Sequence, residues 1–194
     1  MLSNISSSVN RFLDTSYSLK FLLRLFALYL LFRLINWLWV ALITPEGYYS
    51  SVIDNYFDYV TPLKLSLLHT GSFLANLLGV PSALLGDSVL RVQNGGQLIM
   101  AWACCGLEIM SFWAAFALAD TTPLKTKLYW CFGGLLSIWI INSLRIALLI
   151  IAKQNKWQEM LDLDQHDLFN FIAYGFVFLL MFIYYKKNKR ELGR

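Results

Sequence analysis

Charge is scarce in this chain of 194 residues: Asp, Glu, Lys and Arg together make up 14%, against roughly 25% in soluble domains. With 58% apolar residues and a mean hydropathy of +0.55, that deficit excludes a soluble globular enzyme and a disordered chain. Cysteine is sparse as well. Three cysteines are too few for a disulfide framework, and they lack the spacing of a zinc site. No internal repeat and no low-complexity linker divides the chain. What remains is a single, mostly helical membrane domain. The formal net charge of +4 then points to basic loops on the cytoplasmic side rather than to nucleic acid.

A helix needs about 20 mostly apolar residues to cross a bilayer. Residues 21–43, 98–119 and 128–152 satisfy this, and 168–185 is shorter but unbroken. The last ends in Tyr184-Tyr185, an interfacial anchor before a run of lysines. The first is longer than the apolar core of a signal peptide and is followed by Thr44-Pro45, so it reads as a retained anchor. A fifth stretch, 61–80, is interrupted by Lys64, Ser66, His69, Thr70, Ser72 and Asn76. Residues 1–20 form an N-terminal flank, loose over the serine-rich 1–8, and 186–194 a basic tail.

Charge sets the topology. The tail Lys186, Lys187, Lys189 and Arg190 and the flank Arg11, Lys20 and Arg24 both belong in the cytoplasm. Two inner ends require an even number of spans. The expected fold is therefore an all-α integral membrane protein with four transmembrane helices, an outer interfacial helix at 61–80 and a small external hairpin at 87–98. The hairpin rests on Asn94-Gly95 between Ser88–Gln93 and Gln97–Met100. In this arrangement the outer side keeps only Lys64, Arg91, Lys153 and Lys156 as basic residues. A five-span chain would put the basic N-terminus outside and ranks second.

Ionisable residues inside spans are costly and point to function. Arg33 lies in the first span, Glu108 in the second and Arg145 in the third, while His166 stands at the outer mouth of the fourth. Cys104 is six residues and Arg145 seven residues from the outer end of their spans, about 9 and 10 Å down. Alternating helix directions thus bring a thiol, a guanidinium and an imidazole to one leaflet. The depth of His166 does not match unless its helix dips or the cysteine helix starts higher. Together the three groups suit acyl transfer through a thioester. The thiolate attacks, the arginine stabilises an oxyanion, and the histidine protonates a leaving amine. Glu108, four residues after Cys104, reads as an orienting partner on the same helical face. Cys131 reads as packing, His69 as solvated, and the seven tryptophans as anchors or packing.

At these residues the chain resembles the exosortase/archaeosortase family. Ala103-Cys104-Cys105-Gly106-Leu107 is similar to its A-C-S-G-L signature, and Asn142-Ser143-Leu144-Arg145-Ile146 to its N-x-x-R-hydrophobic motif. His166 heading an apolar helix, with Gly175 further on, is similar to its histidine motif. Leu77-Leu78-Gly79-Val80-Pro81 before a hairpin is similar to its stretch upstream of the cysteine. The departure is Cys105, where the family carries a small polar residue. The resemblance implies a membrane-embedded cysteine transpeptidase of the cell membrane, with its site on the extracytoplasmic side. Its substrates would be exported proteins ending in a sorting motif, a hydrophobic helix and a basic end. Cleavage would pass the new carboxyl end to a surface acceptor. Cys104, Arg145 and His166 would be catalytic, with Cys105, Gly106, Glu108 and Asn142 in support, and no metal or organic cofactor is expected. Two other functions compete. A thiol–disulfide oxidoreductase would use Cys104 and Cys105 but has no second pair to pass electrons to. A non-catalytic membrane subunit would use the polar residues only to lock the bundle.

Overall fold

The structure, a computed structural model, describes residues 2–45, 47–93, 96–155 and 165–191, with side chains described between 18 and 187 except at 46, 94–95 and 156–170. The Asn94-Gly95 turn, the outer-loop charges from Lys156 to Asp164 and the side chains of His166 and Asp167 lie outside the described residues.

Helix α1 spans Leu2–Ile43. The expected loose start is instead helical from Leu2, because no glycine or proline interrupts the chain before Pro45. A short α2 (Ser51–Phe57) folds back along α1, where the Trp39 indole donates to the Phe57 carbonyl at 2.9 Å. Helix α3 (Val60–Leu77) follows. Asp58 caps it by accepting from the Val60 and Thr61 amides at 2.8 and 3.0 Å. Strands β1 (Ser82–Leu85), β2 (Val89–Val92) and β3 (Gly96–Ile99) form an antiparallel meander. A 3-10 turn, Trp102–Cys105, leads into α4 (Leu107–Ala119). Helices α5 (Leu124–Gln154) and α6 (Gln165–Glu191) complete the bundle.

Among the described residues, two helical segments are long and apolar enough to cross a membrane, Ser18–Ile43 and Leu124–Gln154. Leu22, Leu23, Phe26 and Trp37 of α1 are exposed. A soluble domain does not tolerate so continuous an apolar face.

Three expectations need correction. The 98–119 span is not one helix: β3 takes its first residues, and α4 holds only 13, about 20 Å of rise. The break is Gly106, whose φ of +77° is left-handed and leaves the helical path. The hairpin at 87–98 is a three-stranded sheet, because 82–85 pairs with 89–92 in the register Leu84 to Leu90. Lastly, α3 packs lengthwise along α5. Trp139 donates to Ser66 at 3.0 Å, and Gly71 sits against Ser143 and Ile146, so the two helices run parallel. A Cβ on Gly71 would lie 2.4 Å from Ile146 Cγ2. Only glycine permits this approach.

Two clusters form the core. Leu67, Leu68, Leu90, Val92, Cys105, Ile146 and Ile150 join α3, the sheet, the turn and α5. Trp113, Phe116, Ile138, Val177 and Tyr184 join α4, α5 and α6 at the other end. The buried Trp113 donates to the Trp130 carbonyl at 3.0 Å, and Tyr184 donates to Asp120 at 2.5 Å.

Candidate active site

The site is built where the Trp102–Cys105 turn meets α5. A four-residue 3-10 turn followed by a left-handed glycine cannot continue into α4 in one line. Cys104 and Glu108 therefore do not share a helical face, contrary to their spacing in the sequence. Cys104 is half-buried, while Cys105 is fully buried with its Sγ toward the Ala101 carbonyl at 4.0 Å. No disulfide joins them. Both precede α4 and lie outside the two long apolar segments. Burial pushes the Cys105 thiol up to about 11, against a smaller opposing pull from Lys64.

Asn142 ties the turn to α5. Its side chain is 2% exposed, and its Nδ2 donates to the Cys105 carbonyl at 3.4 Å. It also fills the space over Gly106, where a Cβ would sit 2.0 Å from that nitrogen. Gly106 is thus fixed twice, by its positive φ and by Asn142. Gly106→Ala is expected to cost about 3 kcal/mol, from left-handed strain plus overpacking. The measurement is a lowered thermal midpoint in detergent. An unchanged midpoint would mean that the turn and α5 are not locked together this way.

Arg145 lies one turn beyond Asn142 on the same face of α5, since positions three apart are neighbours on a helix. It is 9% exposed, and its Nε has no hydrogen-bond partner among the described residues. A buried guanidinium N–H left unmatched is costly, so its position needs a reason.

His166 falls in the first turn of α6, while its side chain is outside the described residues. Helix α6 runs antiparallel to α5: Tyr184 stacks edge-on with Trp130 at 5.2 Å near one end. Eighteen residues separate 166 from 184, about 27 Å of helix. The same rise along α5 from Trp130 reaches Leu148, one turn past Arg145. That rise puts the His166 backbone about one helical turn beyond the level of Arg145. Helix α6 begins at Gln165, and the cysteine turn precedes α4 rather than lying inside it.

Glu108 faces away from the cysteine turn. It pairs with Arg33 of α1 at 3.6 Å, with both side chains exposed. It also borders an apolar cavity of about 560 Å³ between α1, α4 and α6, lined by Leu25, Phe26, Tyr29, Phe112 and Phe178 among others. Cys131 is half-buried eleven residues before Asn142 on α5, about 16 Å away along the axis. That distance leaves the cysteine pair without a second thiol in reach. His69 is exposed on α3. Among the described residues no cluster of His, Cys, Asp or Glu could hold a metal ion.

Two polar groups were not singled out by their spacing. Asn36 of α1 donates to Ser111 of α4 at 2.7 Å and accepts from Tyr59 at 2.5 Å, linking α1, α4 and the residue just before α3. Lys64 of α3 is 3% exposed, donates to Ser88 Oγ at 2.6 Å, and lies 3.8 Å from the Trp102 ring centre. Its only signal was to be the one Asp, Glu, Lys or Arg within 61–80.

Comparison with curated proteins and with solved structures finds no match. The family model for transmembrane exosortases matches residues 8–183, which contain every candidate residue above, and the chain belongs to that family.

Proposed function

We propose that the protein is a membrane-embedded cysteine transpeptidase of the cell membrane. It cleaves the C-terminal sorting signal of exported proteins and transfers the new carboxyl end to a surface acceptor. In this reading four helices, α1, α4, α5 and α6, cross the bilayer, with the cysteine turn on the extracytoplasmic side. The observation that carries it is the buried Arg145, whose Nε is unmatched among the described residues, one turn from an asparagine clamped on the cysteine turn. An unmatched donor beside a nucleophile is what an oxyanion site needs before its substrate arrives.

The reaction follows from the groups. The Cys104 thiolate attacks the scissile carbonyl, and Arg145 donates to the developing oxyanion. His166 protonates the departing amine. The thioester is then resolved by an acceptor amine, a hydroxyl or water, and the thiol is regenerated. The apolar cavity between α1, α4 and α6 begins one turn after the cysteines and suits the hydrophobic helix of the signal. The basic end of the signal then points to the cytoplasm.

The test is intact-mass spectrometry of the purified protein mixed with a sorting-signal peptide. A mass increase equal to the N-terminal peptide fragment, removed by hydroxylamine, is expected. Normal processing in cells by a protein without Cys104 and Cys105 would overturn the reading.

A further inference from the structure

Lys187, near the end of α6, reaches across to α5. Its Nζ lies 5.6 Å from the ring centres of both Tyr129 and Trp130, within cation–π range. Trp130 in turn stacks edge-on with Tyr184 of α6 at 5.2 Å, which closes the seam between the two helices. Lys125 lies four residues before Tyr129 and so on the same face of α5. Lys125, Tyr129 and Lys187 are exposed, and among the described residues no carboxylate pairs with either lysine. Asp120, the carboxylate described at this end, accepts instead from Tyr184 at 2.5 Å and from the Thr121 amide at 2.7 Å. The segments gathered at this end of the bundle, 11–24, 118–127 and 186–194, carry ten basic residues and three acidic ones. So positive a surface draws an anion.

The surface beside the two lysines decides which kind of anion. Phe132 and Leu136 continue the face of Tyr129 along α5, three and seven residues on, and both are exposed. Ile183 and Leu179 continue the face of Lys187 along α6, four and eight residues back, and both are exposed too. Two apolar stripes thus start at one pair of cations and run toward the middle of the bundle. A small soluble anion would use only the cations. A phospholipid uses all three features: cations for its phosphate, aromatic rings at headgroup level and an apolar path for its acyl chains. We propose that the seam between the start of α5 and the end of α6 binds an anionic phospholipid. Lys125 and Lys187 hold the headgroup, and the chains lie along 129–136 and 179–183. The four-helix topology proposed above assigns this lipid to the cytoplasmic leaflet, opposite the cysteine turn. The site takes nothing from the thiol chemistry.

The experiment offers the purified full chain, in delipidating detergent, equal amounts of phosphatidylglycerol and phosphatidylcholine. Lipid retained on the protein is counted by native mass spectrometry. The parent is expected to retain phosphatidylglycerol about tenfold over phosphatidylcholine, the scale of two lysines beside an anionic headgroup. Lys125→Gln with Lys187→Gln is expected to bring that ratio close to one. Arg91→Gln with Lys153→Gln removes the same charge at the other end of the molecule and is expected to keep the parent ratio. Equal retention of both lipids by the parent would overturn the proposal, and that reading needs no variant to fold. A ratio lowered equally by both pairs would overturn it as well, because net charge alone would then explain the preference. Displacement of phosphatidylglycerol by an equal concentration of glycerol phosphate would assign the lysines to a soluble phosphate and overturn the lipid. Failure here is separable from failure of the transpeptidase reading. Peptide acylation without lipid preference removes only this site, and lipid preference without acylation removes only the transpeptidase.

Discussion

Cys104→Ala is expected to abolish processing of a sorting-signal substrate, while Cys105→Ala keeps most of it. The two thiols are neighbours in sequence but not in environment. Cys105 is fully buried in the core cluster with Leu90, Ile146 and Ile150. With its thiol pushed up to about 11, only about one molecule in 10⁴ carries the thiolate at pH 7. Its contribution is its carbonyl, which Asn142 holds at 3.4 Å, and alanine supplies the same carbonyl. Cys105→Ala removes one buried sulfur and should cost on the order of 1 kcal/mol of stability. Cys104 is half-buried at the head of α4 and open to attack on a carbonyl. Removing a nucleophile lowers turnover by roughly 10⁴-fold or more, as in other acyl-transfer enzymes. Processing by purified protein, read by mass spectrometry of the released fragment, distinguishes the two. A silent Cys104→Ala beside an inactive Cys105→Ala would move the nucleophile by one residue. Activity in both would leave the subunit reading, in which the polar residues only lock helices together.

Membrane character was legible because hydropathy depends on composition over long windows, and α1 and α5 are long. Their ends were less so. Helices run on past the apolar stretch where no proline stops them: α5 reaches from Leu124, just after Pro123, to Gln154 and α6 from Gln165 to Glu191, and Gly133, Gly134 and Gly175 inside them do not end them. The second span was misread for a local reason. The apolar run 98–119 includes half a strand, a 3-10 turn and a left-handed glycine, and hydropathy does not distinguish them. Ser82–Leu85 became a strand through pairing with 89–92, a tertiary effect that its own residues do not announce. The Asn142, Gly106 and Cys105 association follows from the motifs only when the spacing is read as contact across two helices. The Arg33–Glu108 pair joins two opposite charges in apolar helices, whereas the spacing alone set Glu108 beside Cys104. Lys64 was not legible. Its meaning depends on Trp102 and Ser88, 38 and 24 residues away in sequence.

Arg145→Lys should lower the rate of the acylation step about 10²–10³-fold, comparable to loss of an oxyanion donor, and leave substrate binding close to unchanged. Lysine keeps the positive charge, so a purely electrostatic role would survive the change. It loses the planar fork of N–H groups, whose Nε is the donor that stands unmatched among the described residues. The distinction between kcat and KM therefore matters: a donor used only in the transition state acts on kcat. Arg145→Ala should be at least as slow and less stable, because it empties a buried site next to Asn142 and Ile146 in α5. Single-turnover formation of the thioester, measured at saturating peptide, reads the acylation step without interference from the acceptor. Wild-type acylation by Arg145→Lys would show that charge alone suffices and that the unmatched Nε serves no oxyanion. Slow acylation with an unshifted thermal midpoint would instead assign the arginine to chemistry. Combining Arg145→Lys with Cys104→Ala then separates the two roles further. If both residues serve one transition state, the double variant is no slower than Cys104→Ala alone, because groups acting as a unit are strongly non-additive. If Arg145 only braces the bundle, the double variant should lose stability by the sum of the single losses, since distant, independent effects add.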